Sequence, residues 1–207
     1  MLQLTTLRDT SDLSIKIGTD SVMRLSDPKM RELLFAYLDA KYPKVRIFDE
    51  KEIGKSRADF IAVTDSTIIG YEIKSDLDSY ARLKSQVRDY NKFCDICYAV
   101  VGKSHQKGIV KHIPEFWGIL VVSVEGGQAE IFEMRHADIN PKETTENKLS
   151  LLWKKEIQNI AVKNGLPKYS NKNKKYLLRM LREMIPHKQL MQALTDELFE
   201  RDYTQWS

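Results

Sequence analysis

Three residues in one short stretch have the types and spacing that phosphate chemistry needs. They are Asp59, Glu72 and Lys74, within DFIAVTDSTIIGYEIK, residues 59–74. Hydrolysis of a phosphodiester calls for a divalent ion that activates water and neutralises the charge growing on the phosphate. Magnesium prefers oxygen ligands and keeps several waters, so one or two carboxylates suffice. Asp59 opens one apolar run, a polar break follows at Asp65-Ser66, and a second run ends in Glu72-Ile73-Lys74. Strand side chains alternate faces, so Glu72 and Lys74 point to one side and Tyr71 and Ile73 to the other. The turn is short, which predicts antiparallel neighbours at about 59–64 and 67–74 and a pair of acids able to share Mg²⁺ or Mn²⁺. Lys74 would then orient or help deprotonate the water, or stabilise the pentacovalent phosphate. A cation there also keeps the acids ionised.

These strands need a frame, and the flanking sequence predicts one. Ser26-Asp27-Pro28 reads as a helix start. Met30, Leu33, Leu34, Tyr37 and Leu38 then form one apolar stripe over about 28–41, and Tyr42-Pro43 ends it. Val45 and Ile47 begin a strand closed by Asp49-Glu50-Lys51-Glu52 and Gly54. After the 59–74 pair, Ser75, Asp76 and Asp78 read as caps and turn formers. A helix over about 79–92 carries Tyr80, Leu83, Val87 and Tyr90 on one face. Residues 95–101 and 117–124 are further β-rich runs, separated by a loop or short helix. Gly126-Gly127 turns into a short strand, 128–133. The order is helix, three strands, helix, strand, strand, which predicts an α/β layered fold. Residues 1–26 suggest only an arm or a short element.

Past Asn140-Pro141 the strands stop. Leu149, Leu152, Trp153, Ile157 and Ile160 read as one helix, Tyr176 to Met184 as a second and Leu190 to Phe199 as a third. That division predicts a domain over 1–140, its core at about 20–140, and a helical region over 141–207. Charge is uneven too. The whole chain carries +4, but residues 141–190 hold ten lysines and two arginines against four glutamates, net +8. Such a surface suits a nucleic acid, with Lys154, Lys155, Lys172, Lys174 and Lys175 as candidate contacts, or it is simply a solvated face.

No apolar run approaches the roughly 20 residues a membrane-spanning helix needs, so no membrane partner is expected. The N-terminus lacks the order of a signal peptide. Two cysteines, Cys94 and Cys97, make no disulfide framework and point to a reducing cytoplasm. Their spacing suits zinc, but no second pair completes four ligands, so buried free thiols are expected. His105, His112, His136 and His187 form no ligand pattern, and Trp117 reads as a core anchor.

The pattern Asp59, then Glu72-Ile73-Lys74, resembles the PD-(D/E)XK nuclease superfamily, whose restriction-endonuclease-like core has this same order of elements. Ala58 stands where the motif often has Pro. The resemblance implies metal binding by Asp59, Glu72 and the Ile73 carbonyl, with accessory acids at Glu32 or Glu52. Gln86 and Tyr90, four apart and so on one helix face, resemble the Gln-x-x-x-Tyr motif of the RecB-like branch, which implies a role beside the site. RADFIAV, GYEIKSDLDS, QVRDYN and IPEFWGI also resemble short bacterial and phage proteins of that superfamily with a basic helical tail. The implied activity is Mg²⁺- or Mn²⁺-dependent deoxyribonuclease. Asp59, Glu72, Lys74, Gln86 and Tyr90 would be the catalytic group, and Arg57 would contact phosphate or pair with an acid. A binding module without turnover is the alternative. Repair or phage defence, and monomer or homodimer, stay open.

Overall fold

The protein, described by a computed structural model over residues 15–18, 26–167 and 171–202, is a mixed α/β fold built on a seven-stranded sheet. Its elements are β1 (Ile15–Gly18), α1 (Asp27–Lys41), β2 (Arg46–Ile53), β3 (Ser56–Val63), β4 (Ile68–Lys74), α2 (Leu83–Phe93), β5 (Ile96–Gly102), β6 (Gly118–Glu125), β7 (Gln128–Arg135), α3 (Thr145–Ser150), α4 (Lys154–Lys163), α5 (Lys174–Met184) and α6 (His187–Phe199). The sheet order is β1-β7-β6-β5-β4-β3-β2. β4, β5 and β6 run parallel, and every other pairing is antiparallel. The arm expected at the N-terminus supplies an edge strand, β1, beside β7; the rest of 1–25 lies outside the described residues.

Every residue of β4 is buried, as expected for a central strand covered on both faces. One face packs on α1, through Met30, Leu33, Leu34, Tyr37 and Leu38 against Phe60, Ile69, Tyr71 and Ile73. The opposite face carries α2 and the C-terminal helices in a single apolar cluster running from Phe48 and Ile61 through Val87 and Trp117 to Leu149, Leu181 and Leu198. The change near residue 140 is therefore one of secondary structure, and the apolar packing continues across it. Gly126 and Gly127, at φ 57° and 76°, make the two-residue turn between β6 and β7, a left-handed geometry suited to glycine.

Two local differences from the sequence pattern have evident causes. α2 starts at Leu83 rather than 79, because the Asp78 carboxylate accepts from the Ser75 amide at 2.8 Å and its hydroxyl at 2.6 Å and holds a turn there. The stretch expected as one helix around Leu149–Ile160 is two, α3 and α4. At the break the Trp153 N–H donates to the Glu156 carboxylate at 2.6 Å, and the Leu151 carbonyl accepts from Arg201 at 2.8 Å. Cys94 and Cys97 are buried free thiols, and Trp117 is a fully buried anchor.

Arg201 ties the end of the described chain to its body. Its guanidinium is buried, paired to both Glu156 oxygens at 2.7 Å and stacked 4.2 Å from the Trp153 ring centroid. Its carbonyl accepts from Arg46 of β2 at 2.9 Å. Removing one member of a buried pair strands the other charge, whereas an exposed pair contributes little. Arg201→Met is expected to lower unfolding free energy by about 3–5 kcal/mol in urea titration. Lys103→Met, which breaks the pair with Glu125 that is exposed on both sides, should cost under about 1 kcal/mol. A loss for Arg201→Met as small as for Lys103→Met would show that the latch does not hold the fold.

Candidate active site

The site begins where two strand ladders fail. β2 and β3 stay in register from Arg46↔Val63 to Ile53↔Ser56, except that Glu50 and Asp59 do not pair. Glu50 sits at φ 50°, a costly region for a residue with a side chain. The strand faces exchange there. Phe48 and Ile53 face the same cluster although five apart, as do Ala58 and Ile61, three apart; ordinary alternation would put each pair on opposite faces. On the other side of β3, pairing with β4 stops at Phe60↔Tyr71. Asp59 is thus released from its backbone partners on both sides.

Side chains take over those partnerships. The Tyr90 hydroxyl accepts from the Asp59 amide at 2.9 Å and donates to the Tyr71 carbonyl at 2.9 Å, bridging the two strands where they part. The Asp59 carboxylate accepts the Ile73 amide at 2.8 Å. Tyr90 reaches this position because β4 has no side chain at residue 70. A Cβ on Gly70 would lie 2.4 Å from the Tyr90 ring and 2.7 Å from the Cys94 sulfur. Trp117 supports the ring edge-on at 5.6 Å and fixes α2 by donating to Asn91 at 2.7 Å.

Glu72 and Lys74 face α2 as alternation predicts. The Lys74 ammonium donates to Glu72 Oε1 at 2.5 Å and to Gln86 Oε1 at 3.3 Å. Glu72 is fully buried and Lys74 is 6% exposed, so water screens their charges little. Glu72 Oε2 is buried and makes no hydrogen bond of good geometry, although the Tyr90 hydroxyl lies near enough to favour its charge. Burial, then the charge of Asp59, raises the Glu72 carboxyl to about 7, against the opposing pull of Lys74. Burial raises Asp59 as well, with the Ile73 amide and Arg31 opposing, and it pushes the Tyr90 hydroxyl well up.

Asp59, Glu72, Ile73, Lys74, Gln86 and Tyr90 are therefore brought together. Glu32 is not at this cluster: its side chain is 58% exposed and pairs with Lys29 at 2.8 Å. Glu52 is exposed on β2 opposite Arg57, and Arg57 pairs with Glu50 at 3.3 Å. Lys154 and Lys155 open α4, and Lys174 and Lys175 open α5. Lys174 donates to the Ser150 carbonyl at 2.7 Å, and the Lys172 ammonium lies 5.2 Å from the Tyr176 ring centroid. Lys174, Lys175, Arg179 and Arg182 line a groove of about 680 Å³ with Leu149 and Tyr176.

The sequence reading missed Arg31. It reaches from α1 across the Phe60 ring and donates to Asp59 at 3.1 Å, to Asp27 at 3.0 Å and to Asp49. The only sequence signal was Asp27 and Arg31 at i,i+4. Among the described residues no three His, Cys, Asp or Glu side chains form a ready-made metal cage, and no helix is long and apolar enough to cross a membrane.

Comparison with known proteins gives one family. The family model "Bacteriophage P4 protein cII" matches residues 20–207. No curated protein matches the chain. Among solved structures, Pyrococcus furiosus SfsA in complex with Ca²⁺ aligns at a TM-score of 0.36 and 12% identity, covering 62% of this chain and 78% of that one.

Two tests follow from the geometry. A carboxyl raised from 4.5 to about 7 by folding binds its proton more tightly folded than unfolded. Without divalent ions, stability should therefore fall as pH rises from about 4.5 to 7, by at most roughly 3 kcal/mol from this group. Urea titrations at pH 5 and pH 8 should show a smaller difference in Glu72→Gln than in the parent; an identical difference would overturn the assignment. Gly70→Ala should displace the Tyr90 ring and cost about 1–3 kcal/mol. Unchanged stability there would mean that β4 and α2 can separate freely.

Proposed function

The chain belongs to the bacteriophage P4 protein cII family, and we propose that it is a metal-dependent nuclease hydrolysing phosphodiester bonds of DNA, with a site of the PD-(D/E)XK kind. One observation carries the proposal. Two desolvated carboxylates and a lysine meet where β3 and β4 fork, and Glu72 Oε2 is buried there without a partner. A buried carboxylate oxygen without a partner calls for an explanation, and a bound cation supplies one.

The donor set suits a hard divalent ion. Asp59 and Glu72 supply carboxylate oxygens, the Ile73 carbonyl is a third candidate ligand, and an all-oxygen donor set of this kind favours Mg²⁺ or Mn²⁺. When bound, such an ion activates water and neutralises phosphate charge. Lys74, held between Glu72 and Gln86, has an ammonium donor to orient water or to hold a phosphate oxygen. Gln86 keeps that ammonium on the α2 side. Tyr90 positions Asp59 through its amide and takes no proton at neutral pH, because burial keeps its hydroxyl protonated. The basic groove formed with α5 supports a polyanionic substrate, since cations that neutralise phosphates release counterions.

Cleavage of supercoiled, linear, single-stranded and branched DNA, in Mg²⁺, Mn²⁺ and Ca²⁺, tests the proposal on the whole chain. Cutting is expected with Mg²⁺ or Mn²⁺. Asp59→Ala and Lys74→Ala should each reduce it at least about 100-fold, the scale on which removal of an electrostatic catalytic group acts, with urea midpoints showing that both variants fold. Cutting that survives both substitutions would sink the assignment. Salt-sensitive DNA binding with no cutting in any metal would instead identify a binding module.

A further inference from the structure

Arg31 is the feature that a two-acid metal site does not explain. Three of its nitrogens reach three different carboxylates: Nε to Asp27 at 3.0 Å, one terminal nitrogen to Asp49, and the other to Asp59 Oδ1 at 3.1 Å. Its side chain is 19% exposed, whereas those of Asp27 and Asp49 are 46% and 59% exposed. The inner acid is thus held by the same guanidinium as two outer ones. With Glu72 and Lys74 included, four carboxylates face two cations, leaving a formal −2 when all are ionised. One divalent cation balances that charge. The cluster has a second indication of a missing ligand in Glu72 Oε2, an unpartnered oxygen on a fully buried side chain.

We propose that Arg31 is a displaceable counter-ion, which neutralises Asp59 while the site holds no divalent cation and transfers to Asp27 and Asp49 when a cation binds. This rests on the metal-site reading above. The physical reason is competition. A guanidinium at hydrogen-bond distance from Asp59 repels a dication that shares the same carboxylate, and partial burial weakens the screening of that repulsion. Arginine cannot escape by losing its proton, so relief has to come from movement. The exits are already built: Nε and one terminal nitrogen keep their bonds to Asp27 and Asp49 when the Asp59 bond breaks. Asp59 meanwhile keeps the Ile73 amide on Oδ2, so its carboxylate stays oriented as Arg31 withdraws.

Mn²⁺ affinity of the full chain, measured by calorimetry or by the paramagnetic signal of free Mn²⁺, tests this apart from catalysis. Arg31→Gln should bind Mn²⁺ about tenfold more tightly than the parent, and Arg31→Lys, which keeps the charge, should stay within about threefold. Asp27→Asn/Asp49→Asn should bind several-fold more weakly, because Arg31 then has Asp59 as its main partner. In the Arg31→Gln background the same two changes should lose most of that effect, the coupling expected of a shared partner. Equal or weaker binding by Arg31→Gln overturns the proposal, as does an unchanged effect of the double substitution in that background. Asp59→Asn separates the two readings. If it abolishes Mn²⁺ binding while Arg31→Gln leaves affinity unchanged, only the counter-ion role fails. If Asp59→Asn binds like the parent, the metal site fails and the counter-ion role with it.

Discussion

The hydroxyl of Tyr90 is the contact on which the site's geometry depends. It occupies a place that β3 and β4 would otherwise fill with backbone, satisfying one amide and one carbonyl that the fork leaves without strand partners. Unpaired buried backbone groups are costly, so the fork is tolerated because this oxygen both accepts and donates. The dependence runs outward. Tyr90 needs the gap at Gly70, the edge-on contact of Trp117, and an α2 register fixed by the Trp117–Asn91 bond. A one-residue change in any of them would move the phenol away from both strands, and Asp59 with it. Gln86, one helical turn before Tyr90, stays over Lys74 by the same register.

The C-terminal helices belong to that chain of dependence. Asn140 donates to the carbonyls of Asn91 and Cys94 at 2.9 and 2.7 Å, fastening the segment after β7 to the end of α2. Lys148, nearly fully buried, pairs with Asp95 at 2.7 Å and with Glu143 at 3.0 Å, and Asp95 also accepts the Ile68 amide of β4 at 2.8 Å. One carboxylate therefore joins α3 to the first residue of the strand that carries Glu72 and Lys74. With Arg201 closing the far end on Glu156 and β2, the basic region is packed onto the back of α2. Any contact it makes with a nucleic acid is made in a fixed relation to the site.

Much of this was legible in the sequence, for reasons particular to each residue. β4 obeys strict alternation, so the common side of Glu72 and Lys74 could be read from spacing. The same holds for Gln86 and Tyr90, because α2 is regular between them. The unreadable features are those where a rule is broken under tertiary control. Glu50 carries a positive φ without being Gly or Asn, so nothing in its type announces the exchange of faces beside Asp59. The break between α3 and α4 depends on Glu156 and on Arg201, the latter about 50 residues away, and the intervening Leu-Leu-Trp looks helical by periodicity. In the sequence Arg31 is marked by nothing beyond its i,i+4 spacing from Asp27. Only the fold brings Asp49 and Asp59, 18 and 28 residues downstream, to the same guanidinium.

The electrostatics around Asp59 and Glu72 explain why such a site is surrounded by so much supporting structure. Two acids, one buried and one half-buried, repel each other, and burial raises both toward the neutral form. An ordinary core would discard them, since replacing buried charges by apolar groups often stabilises. Here each charge is held in place by something rigid: Glu72 by Lys74, Lys74 by Gln86, and Asp59 by an amide on one oxygen and Arg31 on the other. Those partners reduce the repulsion without removing it. The result is a pocket that keeps unfavourable charge in a defined geometry, as expected where local rules yield to function. A proton relieves that repulsion, and under the function proposed above a dication would compete with it for the same carboxylates.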